Sequence, residues 1–97
     1  MSAPIRRLVL DLLKPHEPDI VQFAERVAAR PGIDAVNAVL VETDRDVDTI
    51  KLTVEGGDVD LPEIEETIDG LGGSIHSIDE VVCGERLTEQ SETPQDR

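Results

Sequence analysis

Asp11, His16 and His76 are the residues of this sequence best suited to moving a proton or ligating a transition metal. If the segments carrying Asp11 and His76 pair antiparallel, the carboxylate approaches the imidazole, with His16 and Lys14 in the adjoining loop. The same placement also describes an ordinary cross-strand Asp–His pair, with His16 in solvent. A small enzyme built on Asp11 and His76 would need a concave pocket beside them, and no Ser or Cys nucleophile falls at a useful spacing. Glu42, Asp44, Asp46 and Asp48 alternate across a turn and could offer hard oxygen ligands to Ca²⁺ or Mg²⁺. They lack the central Gly and terminal Glu of an EF-hand, so one copy gives only a solvated acidic turn. Copies brought together by self-association would need cations between them. Asp79-Glu80 is the third cluster, expected to salt-bridge Arg6 and Arg7. Asp11, Glu42, Asp44 and Asp79 are thus the metal-ligand candidates.

Composition narrows what these groups can serve. Twenty-two acids against nine bases give a net charge of −13, which argues against sequence-independent binding to nucleic acid or to an anionic membrane. The one aromatic residue, Phe23, leaves nothing for base stacking. High acid content with two lysines, Lys14 and Lys51, is the balance expected of a halophilic intracellular protein, where salt screens self-repulsion. Cys83 stands alone, which excludes a disulfide framework or Cys-x-x-Cys site, and reads as a half-buried residue of the last strand. Arg6, Arg7, Asp11 and Lys14 interrupt the N-terminal apolar run, so neither a signal peptide nor a membrane span is expected and the protein reads as cytoplasmic. Gly56-Gly57 and Gly72-Gly73 lack the spacing and Lys of phosphate loops.

The elements that must position these groups follow from periodicity. Leu8, Leu10 and Leu12 alternate with Arg7, Val9, Asp11 and Leu13, the period-2 pattern of a central strand. Lys14–Pro18 breaks it, and Pro18 suits the first turn of a helix with Ile20, Phe23, Ala24 and Val27 on one face. Pro31-Gly32 stops that helix. Residues 33–43 form a second strand, 44–48 a turn, and 49–55 a third strand with Ile50, Leu52 and Val54 inward. Asp60 caps a second helix, with Pro62 in its first turn and Glu63 completing a capping box. Leu61, Ile64, Ile68 and Leu71 make its apolar stripe, and Gly72-Gly73 its C-terminal cap. Residues 74–84 form the last strand, with a bulge expected at 77–79.

This order is the βαββαβ, ferredoxin-like α+β sandwich: a four-stranded antiparallel sheet with two helices on one face. The first and third strands are expected side by side in the centre, and parallel, with the second and fourth at the edges. Residues 1–86 make the domain and 87–97 a flexible acidic C-terminal tail. Ile5–Asp11, Lys14–Pro18, Val41–Arg45 and Gly72–Val81, taken together, resemble the archaeal family known as domain of unknown function 211, over residues 4–87. The resemblance implies a ferredoxin-like fold and homo-oligomers, including rings, and carries no catalytic residues. Exposed edge strands, and Val9 and Leu13 on an otherwise bare face, also point to a homo-oligomer. The functional expectation is a non-catalytic binding or regulatory assembly of unknown small-molecule ligand. The alternative is a Ca²⁺- or Mg²⁺-binding protein with acidic sites at subunit contacts.

Overall fold

Leu8, Leu10 and Leu12 are fully buried, and the strand that carries them, β1 (Ile5–Pro15), sits inside the sheet. A computed structural model describes residues 3–85 of the chain; the expected tail, residues 87–97, lies outside them. In chain order β1 is followed by α1 (Ile20–Ala28), β2 (Ile33–Thr43), β3 (Val47–Gly56), α2 (Leu61–Gly70) and β4 (Ser74–Cys83). The strands are ordered β2-β3-β1-β4, so β1 and β3 are central and β2 and β4 are edges. All three neighbouring pairs run antiparallel. The expected parallel pairing of the first and third strands is therefore wrong. The two crossovers make β1 parallel to β2 and β3 parallel to β4, and neither of those pairs is adjacent.

The inward side chains of β1 and β3 (Leu8, Leu10, Leu12, Ile50, Leu52 and Val54) meet Phe23 and Val27 of α1, Ile64 and Ile68 of α2, and Val59 in one core. Both helices therefore roof the same face, because each buries its apolar stripe against the same alternate positions of the central strands. No residue of β2 or β4 belongs to the fully buried set; Val36, Ala38 and Ile75 pack against it only in part.

Local signals placed most boundaries. The α1 cap is Asp19, whose Oδ1 accepts from Gln22 N–H at 2.8 Å; Pro18 precedes the cap rather than lying in the first turn. Asp60 Oδ1 accepts from Glu63 N–H at 3.3 Å, as expected of an N-cap. At the far end of α2, Gly72 N–H donates to Asp69 O and Gly73 N–H to Ile68 O, both at 2.9 Å. Those two bonds are the paired closure of a Schellman cap, which Gly72 permits at φ +86°. The β2–β3 turn is shorter than expected: Asp44 N–H donates to Val47 O at 2.9 Å, and β3 starts two residues early. The expected irregularity of β4 is present. Val9 is opposite Glu80 and Leu10 opposite Ile78, which leaves Asp79 as an extra residue; His76 is a second one, between Ser77 opposite Asp11 and Ile75 opposite Leu12.

Candidate functional site

Lys14 continues the even-numbered inward series of β1, and its side chain is fully buried. Its Nζ donates to the carbonyls of Pro15 and Pro18, each at 2.7 Å, and lies 3.3 Å from Asp48 Oδ2. An ammonium has three protons to place. Here each finds an oxygen, so Lys14 pins the turn that leads into α1 and does not present a free nucleophile. Asp48 sits directly opposite Lys14 in the β1–β3 register, and Thr43 opposite Asp48 in the β2–β3 register. Thr43 Oγ donates to Asp48 Oδ1 at 3.2 Å. Thr43, Asp48 and Lys14 thus form one polar row across three strands, closing the end of the apolar face.

His16 completes this cluster from the loop. Its Nε2 donates to Asp44 O at 3.0 Å and lies 3.6 Å from Asp48 Oδ1. Desolvation pushes the Asp48 carboxyl upward, but the hydrogen bonds from Lys14 and Thr43 and the charges of Lys14 and His16 outweigh it. Asp48 therefore titrates below the ordinary carboxylate value of 3.8. The sequence placed Lys14 in a loop and Asp48 in a solvated turn. The signal that could have found the pair is the i+2 step from Leu12 to Lys14, which puts that ammonium on the buried side.

The other candidates fall apart spatially. Asp11 lies opposite Lys51 on one side and Ser77 on the other, so His76 is bulged out of register with it. Glu42 lies one residue before the end of the β2 edge strand, opposite Thr49, and Asp44 begins the turn. Asp79 is at the opposite edge of the sheet, accepting from Ser77 Oγ at 2.8 Å. Among the described residues no three His, Cys, Asp or Glu side chains gather as a metal-holding group. The Arg–acid expectation holds for Arg7, whose Nε is 2.8 Å from Glu55 Oε2 and whose Nη1 is 3.8 Å from Glu80 Oε1. Arg6 instead donates to the carbonyls of Gly56, Gly84 and Glu85. Cys83 is exposed, not half-buried, at the very end of the edge strand β4.

What the sequence signalled only weakly is the apolar character of both edges. Val39, Leu40 and Val41 of β2 are 48%, 52% and 59% exposed, and Ile78 and Val81 of β4 are 45% and 48% exposed. Residues 35–41 carry no charge at all, in a chain of which 32% is charged. Neither edge strand contains an internal Pro or Lys, two of the devices by which proteins blunt sheet edges.

The family profile for DUF211, described as Uncharacterized ArCR, matches residues 6–97. The chain belongs to this archaeal family. An uncharacterized protein of Methanocaldococcus jannaschii is 50% identical over 93 residues, spanning 96% of each chain. The profile match runs ten residues past the end expected from the sequence, so residues 88–97 belong to the family pattern too. Both descriptions carry the word uncharacterized, so membership in DUF211 brings a lineage and no chemistry. Among the described residues no helix is long and apolar enough to cross a membrane.

Proposed function

We propose that this DUF211 protein is a non-catalytic, cytoplasmic binding or regulatory protein that works as a homo-oligomer joined through its sheet edges. The observation that carries the reading is the pair of edge strands, each of ten or more residues and each with large aliphatic side chains in solvent. An unpaired strand edge offers a row of N–H and C=O groups, and aliphatic side chains beside it gain roughly 25 cal/mol per Å² when covered. A second copy satisfies both needs at once. Light scattering across a KCl series should give a mass of several chains for the wild type. Leu40→Lys, which puts a charge on an edge position outside the core, should lower that mass while far-UV circular dichroism stays unchanged. A wild type that is monomeric at every salt concentration would sink the proposal.

Placement of the acids favours a second reading, Ca²⁺ or Mg²⁺ held at subunit contacts. Glu42 and Asp44 belong to one edge of the sheet and Asp79 to the other, so only contact between copies can bring them together. Asp11, on the open face, would be a further ligand. Calorimetric titration of chelator-treated protein with each ion tests this reading; flat titrations eliminate it. The ligand of the assembly is a small molecule of unassigned class.

A further inference from the structure

We draw no further inference here: the strongest candidate, the groove of about 610 Å³ between the start of β1 and the first turn of α2, lined by Pro4, Ile5, Asp58, Val59, Asp60 and Leu61 among others, offers two acids beside a helix N-terminus, and nothing in the structure shows what covers it.

Discussion

A lysine ammonium shut away from water must be given its partners by the fold, and Lys14 receives them from three directions: two backbone carbonyls of its own turn and a carboxylate on the neighbouring strand. Removing it leaves those carbonyls without a donor and a void under the turn. We expect Lys14→Ala to cost on the order of 3 kcal/mol in urea denaturation, with an unchanged m value. The sign of the pH effect at its partner is also fixed. The Asp48 carboxyl titrates lower when folded than when unfolded, so its contribution is complete above the ordinary value of 3.8 and disappears as pH falls through the lower folded value. Denaturation of wild type and Asp48→Asn between pH 6 and pH 3 should show the wild-type advantage shrinking below about pH 4. An advantage that held constant through that window would mean the carboxylate is not paired as described.

Glycines at the ends of elements set how the elements meet. Gly72 closes α2 at φ +86°, where a Cβ costs about 1–2 kcal/mol and would also meet Pro15 Cγ at 3.1 Å. Gly72→Ala should lower stability by about that amount, measured by thermal or urea unfolding. Gly56 does a different job. A Cβ there would lie 1.9 Å from Gly32 O, so the end of β3 and the chain entering β2 can touch only because that side chain is missing. In the sequence, Gly56-Gly57 reads simply as the end of a hairpin strand. The close approach could not be read there, because it depends on two backbone segments separated by the whole β2–β3 hairpin. The two helices are also short: nine and ten residues rise about 14–15 Å, against roughly 35 Å for a strand of this length. Such helices close over the central strands and leave Val39, Leu40 and Val41 of β2 and Ile78 and Val81 of β4 exposed.

For the molecule as a whole, charge and surface act against each other. A net charge of −13 on 97 residues favours expansion and keeps copies apart at low ionic strength, whereas the aliphatic edges favour association. Salt shortens the Debye length from about 10 Å at 0.1 M to about 3 Å at 1 M, which weakens only the first. We therefore expect the melting temperature and the assembled fraction both to rise between 0.1 M and 2 M KCl, followed by circular dichroism and light scattering. A melting temperature independent of KCl would remove the case for salt adaptation.

Strand and helix identities, both N-caps' neighbourhoods, the Schellman closure and the inward sets of β1 and β3 were legible in the sequence, because each depends on residues within a few positions of one another. The ferredoxin-like order followed from the same local signals. Strand direction in the centre of the sheet, the Lys14–Asp48 pair and the separation of Asp11, Glu42 and Asp79 were not legible in that way. They depend on register between strands far apart in the chain, and a bulge of one residue is enough to put His76 out of step with Asp11. The sequence by itself determined which side of each element is apolar; tertiary structure decided which of those sides the helices could reach, and so left two edges of one sheet facing water.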